Sequence, residues 1–572
     1  MNKVLAFTKR FTSLMVLTVL IKASGACLEL LIPRAMGSLI DIGLQDKDYG
    51  YIRTMLIVMI ALTLSAGLAN MVANVLSARY SNRASALIRE KCFEKIQFMK
   101  LEAADTFTIQ SLMTRVTGDT DIIQRMLEMM VRPMVRGPLM IIGGLVLSCM
   151  TSLKLTLVIL AGMVLVSLVS YSIYIVANPL FRKIQRLVDT LTRIIREGLT
   201  GIRLIKTLNK EGYEVSRISE TGKEIQKNEI KAGVFHGVLN PMVTLIANIT
   251  LVFTILASRK LIVNGEITIG EITAIIQYVN MILLAMKMIP RLFLMLGRAN
   301  VSSERVFAIL ENNDTYQYGN LTTKDTTQDL LTVKNLSFAY PGNRDILSGI
   351  SFSLKKGEKI GILGDTGSGK STLTSLLLGL YPNYRGEISL YGKGLFSYER
   401  ETLRKIITAA PQKANIYNTS IRSNIILHSA NDDEKLKKVI NTAQLHGFVS
   451  EKEQGVDFIL EQNGKNLSGG QRQRINIART LYTEATIMIF DDISSGLDYK
   501  TERNLQDAMH QAYPEHSLIF ISQKIQSVKE CDTIFLLQKG EFVAKGSHEG
   551  LLQDSPLYQT MWQLQNIEEH YS

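Results

Sequence analysis

Long apolar runs recur through the first half of the chain and restrict the environment in which it can fold. They lie at 13–33, 53–77, 137–153, 154–177, 238–257 and 272–295. Each is close to the ~20 residues that a helix needs to cross ~30 Å of hydrocarbon. Because a bilayer offers no water to the backbone, such runs favour helices, whose hydrogen bonds stay within the segment. The pattern predicts an α-helical domain of six transmembrane spans and excludes a wholly soluble protein.

The charges between these runs predict the orientation of the chain. The stretches 78–130 and 180–234 are long, helical in pattern and rich in Lys and Arg, whereas the short loop at 36–51 carries three aspartates. Basic loops remain on the cytoplasmic side. We therefore expect a multi-pass protein of a bacterial cytoplasmic membrane with both termini inside. Residues 1–10 are interpreted as an interfacial elbow helix, since no signal-peptide cleavage site follows them.

The net charge of +12 over 572 residues follows from the same distribution. A basic protein can bind nucleic acid, but these basic residues fall in the predicted inner loops, so we expect no nucleic-acid partner. The four cysteines are scattered without metal-ligand or disulfide spacing. We interpret them as small buried side chains.

The composition changes after about residue 298. Residues 1–298 are assigned to the transmembrane domain, and the polar segment 299–330, with its run of threonines, to a linker. From 331 to 572 apolar strand-like segments alternate with helical patterns, which predicts an α/β domain with a helical subdomain.

A phosphate-binding loop pattern occupies the start of this second domain. An apolar strand is predicted at 359–363 and a helix from Ser371 to Gly379. The loop glycines let backbone N–H groups point at phosphates, and the helix N-terminus adds partial positive charge. Lys370 is expected to bridge the β- and γ-phosphates, and the Ser371 hydroxyl to ligate Mg²⁺. The residues assigned to the nucleotide here are Gly364, Asp365, Thr366, Gly367, Ser368, Gly369, Lys370, Ser371 and Thr372.

A second acidic position completes the predicted ATP and Mg²⁺ site. Four apolar residues at 487–490 predict a buried strand, and Asp491 follows directly. At the carboxyl end of a strand beside the phosphate loop, this carboxylate is suited to the Mg²⁺ shell.

A further motif resembles the signature of the ATP-binding cassette (ABC) transporter family, specifically its exporter-type half-transporters. It consists of Leu467, Ser468, Gly469, Gly470 and Gln471. The resemblance extends over nearly the whole chain, with six spans first and one cassette second. It implies that the signature receives the γ-phosphate of ATP bound on another subunit.

The same resemblance implies roles for other residues. Tyr340 corresponds to the aromatic that stacks on adenine, and Gln412 to the loop glutamine that reaches Mg²⁺. Residues 495–498, ending in Asp498, resemble the loop that crosses between cassettes. The segments 107–124 and 196–214 resemble regions that couple the membrane domain to the cassettes.

Two positions depart from the family pattern. Asp492 stands where a glutamate usually activates the attacking water, and its side chain is one methylene shorter. Gln523 stands where a histidine usually contacts the γ-phosphate, and an amide cannot become cationic. Together they predict a site that binds ATP and hydrolyses it slowly, as in the degenerate-site subunit of bacterial heterodimeric multidrug exporters.

The predicted function is therefore ATP-driven export of a hydrophobic or amphipathic compound, in contact with membrane lipid, beside a second half-transporter. The alternatives are a slow homodimer, a non-catalytic regulatory subunit, a lipid or peptide exporter, and an importer on an exporter-like fold. Polar residues within the spans either line a pathway or pair structurally. They are Lys22, Glu29, His236, Asn248, Gln277 and Lys287.

Overall fold

A computed structural model of the chain describes residues 2–322, 329–342, 344–427, 429–493 and 496–571, without the side chains of residues 2, 236, 290, 291, 294 and 566–571. The pathway prediction for His236 and the Ser495 end of the crossing loop lie outside this description. The chain divides into two compact units. One comprises Met1–Gln97 and Thr108–Asn312, and the other Phe98–Phe107 and Asn313–Ser572.

Helices α1 to α12 occupy the chain up to residue 310, and α4 alone belongs to the second unit. Their bounds are α1 Asn2–Phe7, α2 Thr12–Ser38, α3 Tyr49–Phe98, α4 Leu101–Asp105, α5 Ile109–Thr114, α6 Thr120–Val131, α7 Pro133–Thr151, α8 Leu153–Thr200, α9 Ile202–Thr207, α10 Glu211–Val263, α11 Ile269–Met286 and α12 Ile289–Leu310. A 3₁₀ turn at Lys9–Phe11 follows α1, and π-helical turns at Leu39–Leu44 and Arg115–Asp119 follow α2 and α5.

Six helical stretches of the described residues are long and apolar enough to cross a membrane, which confirms the predicted six spans. They are Lys9–Leu44, Tyr49–Phe98, Ile109–Thr151, Leu153–Thr200, Glu211–Val263 and Ile269–Met286. Helix α10 has 53 residues, or about 80 Å at about 1.5 Å per residue. Because ~30 Å suffices to span the hydrocarbon, helices of this length extend well beyond the bilayer, as the helical patterns of the inner loops predict.

The tight turn predicted between the third and fourth spans is present at Ser152. This residue is extended (φ −156°, ψ 114°), and its hydroxyl caps α8 by accepting a hydrogen bond from the Leu155 amide. The sixth span differs from the predicted 272–295, because its helix ends at Met286 and α12 begins at Ile289. Pro290 in the first turn of α12 explains the break, since proline lacks an amide hydrogen and disfavours helix in the preceding residue.

Helix α12 continues to Leu310, within the segment 299–330 assigned to the linker. Phe98–Phe107 is grouped with the second unit, and the coupling region at 107–124 stays a prediction. One further expectation, that the four cysteines are buried, differs from the structure. Cys92 and Cys531 are buried, but Cys27 and Cys149 are exposed. Small apolar side chains on a membrane helix contact lipid without the cost they would have in water.

The second unit contains all ten described strands and the remaining helices. The strands are β1 Leu331–Phe338, β2 Leu347–Leu354, β3 Lys359–Gly364, β4 Arg385–Leu390, β5 Lys393–Gly394, β6 Ile407–Ala410, β7 Ile487–Asp491, β8 Ser517–Ser522, β9 Thr533–Gln538 and β10 Glu541–Gly546. The helices are α13 Lys370–Leu377, α14 Arg400–Ile406, α15 Ile421–Ile426, α16 Asp433–Thr442, α17 His446–Ser450, α18 Gly469–Thr483, α19 Tyr499–Ala512, α20 His548–Asp554 and α21 Pro556–Tyr571.

These strands form two sheets. An antiparallel sheet has the order β2-β1-β4-β5, and a six-stranded sheet has the order β10-β9-β3-β8-β7-β6. In the larger sheet all neighbours from β9 to β6 are parallel. Every residue of β7 and β8 is buried, which is typical of parallel strands covered on both faces. Five parallel strands therefore end at one edge, and the candidate site lies there.

Candidate nucleotide site

The carboxyl edge of the six-stranded sheet brings together residues that are far apart in sequence. The phosphate loop follows β3, and Gln412 follows β6 after Pro411. Asp491 ends β7, and Gln523 follows β8. Because β3, β8, β7 and β6 are successive parallel neighbours, their following residues converge on a single cavity. Ligands bind at this edge in open α/β sheets.

The phosphate loop depends on glycines at positions where other residues would not fit. Gly367 and Gly369 have φ of +83° and +105°, a region that L side chains rarely adopt. A Cβ added at Gly364 would lie 2.4 Å from the Leu537 carbonyl oxygen. The loop therefore packs closely against Leu537 of β9 on one side. Its backbone amides can surround a phosphate on the other side.

Lys370 lies in the first turn of α13 with its ammonium held by the loop. Nζ donates to the carbonyl oxygens of Gly364 and Asp365, both at 2.7 Å. Burial lowers the pKa of Lys370, and the carboxylates of Asp492 and Asp491 oppose that shift. The charge is thus kept close to the position that the predicted β- and γ-phosphates would occupy.

The surroundings of Asp491 fit a divalent cation. The Thr374 hydroxyl donates to Oδ2 at 3.3 Å and the Ser371 hydroxyl also bonds to this carboxylate, but Oδ1 is buried without a hydrogen-bond partner among the described residues. Burial raises the pKa of Asp491, which shows that the environment opposes an uncompensated negative charge. Mg²⁺ prefers oxygen ligands of this kind, so Asp491 and Ser371 would hold it, with Gln412 nearby.

Asp492 directly follows β7 and is bonded to Gln412 in the loop after β6, which we call the glutamine loop. Gln412 Nε2 donates to Asp492 Oδ2 at 2.7 Å, and the Asp492 amide donates to the Ile521 carbonyl at 2.7 Å. Asp492 adopts φ +50° and is 7% exposed. Its backbone is therefore fixed between β7 and β8, and its carboxylate points to Gln412.

Gln523 lies on the opposite side of the same cavity. Its Oε1 accepts a hydrogen bond from the Thr366 hydroxyl at 3.1 Å. The cavity has a volume of about 290 Å³. It is lined by Ile346, Thr366, Gly367, Gly369, Lys370, Ser371, Thr372, Gln412, Asp491, Asp492 and Gln523. The structure thus brings both unusual residues together with the phosphate loop and the metal aspartate.

Tyr340 lies at the margin of this cavity. The strand-like pattern at 333–340 predicts a strand that ends at Tyr340, but β1 ends at Phe338, so Tyr340 lies in the following loop. Its hydroxyl is 3.4 Å from the Thr372 Oγ1, and its ring makes an edge-to-face contact with Tyr381 at 5.2 Å. The Tyr381 hydroxyl donates to Asp105 Oδ2 of α4 at 2.9 Å. Tyr340 is therefore supported by aromatic packing within the second unit.

The signature residues form a separate site at the start of α18. Ser468 Oγ accepts from the Gln471 amide at 3.1 Å, and the Ser468 amide donates to Gln471 Oε1 at 2.9 Å, which is a capping box. Leu467 is buried. A Cβ added at Gly470 would lie 2.7 Å from the Gly496 carbonyl oxygen, so glycine is required for this close approach.

None of the described signature residues at 467–471 lines the phosphate-loop cavity. Gly469 instead lines a second cavity of about 560 Å³, to which Gln412 also contributes. Asp498 caps α19 by accepting from the Thr501 amide at 3.1 Å, and the bonds to Thr501 lower the pKa of Asp498. Among the described residues of one chain, then, the signature and the phosphate loop line different cavities.

Two supporting residues were not predicted from the sequence. Thr374 bonds to Asp491, and Asn476 Nδ2 donates to the Pro411 carbonyl at 2.8 Å beside Gln412. The position of Thr374, one turn after Ser371 on α13, is a signal that sequence could have supplied. The pairing of Asn476 with the glutamine loop joins α18 to β6 and depends on tertiary structure alone.

The fold and the site define a membrane-spanning domain followed by a nucleotide-binding cassette, and comparison with known proteins agrees. The model of the ABC transporter transmembrane region matches residues 15–286, and that of the ABC transporter ATP-binding region matches residues 347–495. A chain of Bacillus subtilis (strain 168), described as the uncharacterized ABC transporter ATP-binding protein YfiB, is 33% identical over 99% of this chain and 98% of its own length.

Two further proteins are informative. An ATP-dependent lipid A-core flippase of Haemophilus influenzae (strain 86-028NP) is 27% identical over 92% of this chain and 90% of its own. A solved bacterial Atm1-family ABC exporter with ATP bound has the same fold, with a TM-score of 0.81 at 22% identity over 97% of this chain and 99% of its own. The chain belongs to the ABC transporter family, with one membrane domain and one cassette.

Proposed function

We propose that this chain is one half of a heterodimeric exporter of hydrophobic or amphipathic, multidrug-type compounds, with its cassette on the cytoplasmic side. Its own site binds ATP with Mg²⁺ and hydrolyses it slowly, and its signature completes the competent site of the partner half. The observation that carries this proposal is the 2.7 Å hydrogen bond between Gln412 and Asp492 in the cavity that also contains Gln523.

Asp492 is poorly suited to activate water. A general base must come within hydrogen-bond reach of the attacking water, and the missing methylene shortens this side chain by roughly 1 Å relative to glutamate. The bond from Gln412 also holds Oδ2 beside the amide of that residue, which restricts the positions that this oxygen can take. A small misplacement of this kind lowers a reaction rate steeply.

Gln523 lacks the second property that hydrolysis uses. Histidine can carry a positive charge near the developing phosphate charge and can transfer a proton, whereas glutamine offers only neutral dipoles. The bond from Thr366 to Oε1 orients the Gln523 side chain, whose amide N–H groups can donate hydrogen bonds to a phosphate oxygen. Gln523 therefore supports binding more than turnover.

The parts that bind nucleotide are intact. Lys370, the loop amides and the α13 N-terminus supply positive charge to the phosphates, and Tyr340 offers an aromatic face. When bound, Mg²⁺ neutralises charge on the β- and γ-phosphate oxygens. ATP held here favours one of the two transporter states without being consumed in each cycle, which is how a ligand shifts a conformational equilibrium.

The substrate class is inferred from the membrane helices and from one relative. The described membrane helices are predominantly apolar, and a relative in Haemophilus influenzae is named as an ATP-dependent lipid A-core flippase. Both favour a hydrophobic or amphipathic substrate that enters from the membrane.

The test is ATP turnover by the chain in lipid, alone and paired with a candidate partner half. We expect near-zero activity alone and robust activity in the pair. In the pair, Asp492→Asn should change total turnover by less than about twofold, because general-base catalysis worth about 10²-fold or more takes place at the partner's site. Fast turnover by the chain alone would contradict the split-site proposal.

The gain-of-function variant sharpens this test. With the partner's own site inactivated, Asp492→Glu combined with Gln523→His should raise the remaining turnover about tenfold or more. Glu515→Asp, at an exposed ion pair with Lys356, serves as the matched carboxylate control. If the double variant gives no increase, the slow site has a regulatory role that these two residues do not determine.

A further inference from the structure

A cluster of charged and amide side chains crosses three helices of the first unit, and its composition points to a ligand. We propose that this cluster, formed around Lys22, Arg132 and Arg136, binds the anionic headgroup of an amphiphilic substrate. The inference rests on the proposed function, because it specifies the charge of the amphipathic compound that the exporter takes up.

The cluster joins α2, α3 and α7. Lys22 Nζ donates to the amide oxygens of Asn70 at 2.7 Å and Asn74 at 3.5 Å. Asn70 Nδ2 donates in turn to Glu29 Oε1 at 2.8 Å. Arg136 donates twice to Glu29 Oε2, from Nη2 at 2.7 Å and from Nε at 3.1 Å. Lys22 and Glu29 are thus bridged by Asn70 and do not pair directly.

Arg132, between α6 and α7, extends the cluster. Its guanidinium pairs with Glu128 one turn earlier and donates from Nη2 to the Asn74 carbonyl at 2.6 Å. Its Nε is buried and has no hydrogen-bond partner among the described residues. Arg132 therefore retains a donor that a ligand oxygen could satisfy.

The charges of the cluster do not balance. Three cations face two carboxylates, and both carboxylates are already paired, Glu29 with Arg136 and Glu128 with Arg132. Lys22 is 7% exposed and contacts amide oxygens, with no carboxylate at ion-pair distance in the described part of the chain. A nearly buried ammonium without a counter-charge is costly, and an anionic ligand would supply the missing charge.

The depth of the cluster suits a headgroup. Arg136 precedes the outer turn at Ser152 by about 24 Å of helix, at about 1.5 Å per residue. In ~30 Å of hydrocarbon this position lies in the cytoplasmic half, given the predicted orientation. The Arg136 side chain is 49% exposed, and charged side chains at this depth almost always face the interior of a helix bundle or a water-filled cavity rather than lipid tails.

The chemistry of the cluster selects among amphiphiles. Guanidinium groups bind phosphate and carboxylate with two parallel hydrogen bonds, and the surplus positive charge disfavours a cationic headgroup. The apolar helices around it accommodate the tail. The ligand class is accordingly a single- or multi-chain amphiphile with a phosphate or carboxylate headgroup.

Binding of dodecyl phosphate to the full chain in phosphatidylcholine nanodiscs tests this proposal. Dodecyltrimethylammonium and dodecyl maltoside carry the same tail with a cationic and a neutral headgroup, and inorganic phosphate carries the headgroup alone. We expect dodecyl phosphate to bind at least about tenfold more tightly than the other three, a difference of about 1.4 kcal/mol. Equal binding of inorganic phosphate would overturn the assignment to an amphiphile.

Two variants locate the binding. Lys22→Met keeps most of the side-chain volume and should weaken dodecyl phosphate binding about tenfold, without changing dodecyl maltoside binding, whereas Lys22→Arg should retain it. Asn70→Asp is isosteric and adds the missing counter-charge, so it should produce the same loss even if Lys22→Met folds poorly. Lys154→Met, at an exposed pair with Glu266, is the matched control.

Unchanged dodecyl phosphate affinity in both Lys22→Met and Asn70→Asp would overturn the site and leave the proposed function standing. An exporter pair that hydrolyses no ATP, while the wild-type chain still binds dodecyl phosphate at this cluster, would overturn the proposed function and support the site. The two failures are therefore distinguishable.

Discussion

The cassette contains two half-sites, which differ in how their polar groups are arranged. In the phosphate-loop half, around residues 364–372, functional side chains bond to one another inside a cavity, as Gln412 does to Asp492 and Thr366 to Gln523. In the signature half, at residues 467–471, Ser468 bonds among the described residues only to its own helix, through the capping box with Gln471. The first half-site thus contains paired side chains, and the second is a helix N-terminus whose remaining backbone amides can bind an anion.

This difference indicates that the two halves require different features to function, namely a correctly formed backbone in one and particular side chains in the other. A helix N-terminus binds an anion through backbone amides and the helix dipole, so the signature half works whenever its backbone is correctly formed. The phosphate-loop half also needs particular side chains for hydrolysis, and under the proposed function Asp492 and Gln523 serve this purpose poorly. Binding and hydrolysis can therefore diverge within one cassette.

The largest effect is expected from Lys370→Ala, which removes the main side-chain charge of the phosphate-loop half. ATP affinity at this chain's site should fall about 100-fold, because two charge-assisted hydrogen bonds of about 1.5 kcal/mol each are lost. Equilibrium binding of a fluorescent ATP analogue to the chain measures this. Lys356→Ala, at an exposed pair with Glu515, should leave affinity unchanged, and a similar loss there would show that the effect is not specific.

The next effect separates the signature half from the phosphate loop. Ser468→Ala should lower the turnover of the assembled pair about tenfold, since it removes a cap worth about 1 kcal/mol and one phosphate contact. ATP binding to this chain's own site should not change. Ser547 caps α20 in the same way, so Ser547→Ala controls for the loss of a helix cap. A loss of ATP affinity in Ser468→Ala would mean that the two halves are not independent.

A smaller effect is expected at the edge of the phosphate-loop half. Tyr340→Ala should weaken ATP binding about fivefold, because stacking of a base on an aromatic ring contributes about 1 kcal/mol. Tyr340→Phe keeps the ring and should bind within about twofold of the wild type. GTP competition measured with the same analogue tests whether the ring contacts the base. If alanine and phenylalanine variants bind alike, Tyr340 does not stack on the nucleotide.

The smallest effect concerns protons at Asp491. Burial raises the pKa of this carboxyl group, and Mg²⁺ binds only its ionised form, so lowering the pH from about 7.5 to about 6 should weaken Mg²⁺-dependent ATP binding by less than about threefold. Asp491→Asn should abolish the Mg²⁺ dependence. In the ligand-free chain the raised pKa has the opposite consequence: Asp491 favours the folded state while protonated, and this contribution is lost as the pH rises through its pKa. A pH-independent Mg²⁺ affinity would contradict the predicted loss of binding at low pH. An unfolding free energy that does not fall as the pH rises through this pKa would contradict the predicted effect on stability.

The sequence predicted the architecture well because its signals are local. Six apolar runs and the strand–loop–helix around Lys370 are contiguous patterns, and each corresponds to an element of the structure. Boundaries were less accurate where two signals compete. The sixth span was predicted through 295, but the chain breaks its helix at Lys287 and Met288, since the apolar pattern continues across a proline.

Contacts between distant segments could not be predicted in the same way. The sequence suggested only a loose pairing of Lys22 with Glu29, because a spacing of seven residues was the sole information available. The structure inserts Asn70 between them and adds Arg136 to Glu29. Likewise, nothing in the sequence indicated that Phe98–Phe107 groups with the second unit, because the hydrogen bond from Tyr381 to Asp105 joins segments that are far apart in the chain.

What the sequence alone determined is the kind of protein. The spans and the phosphate loop follow from hydrophobic periodicity and the chemistry of short motifs, whereas the signature and the departures at Asp492 and Gln523 were identified by resemblance to the family pattern. Only the tertiary structure decided which partners those residues have, including the bond from Gln412 to Asp492 and the unbalanced charge at Lys22. The physical reason is that hydrogen bonds and desolvation depend on distances in space, and strand order and helix packing set those distances.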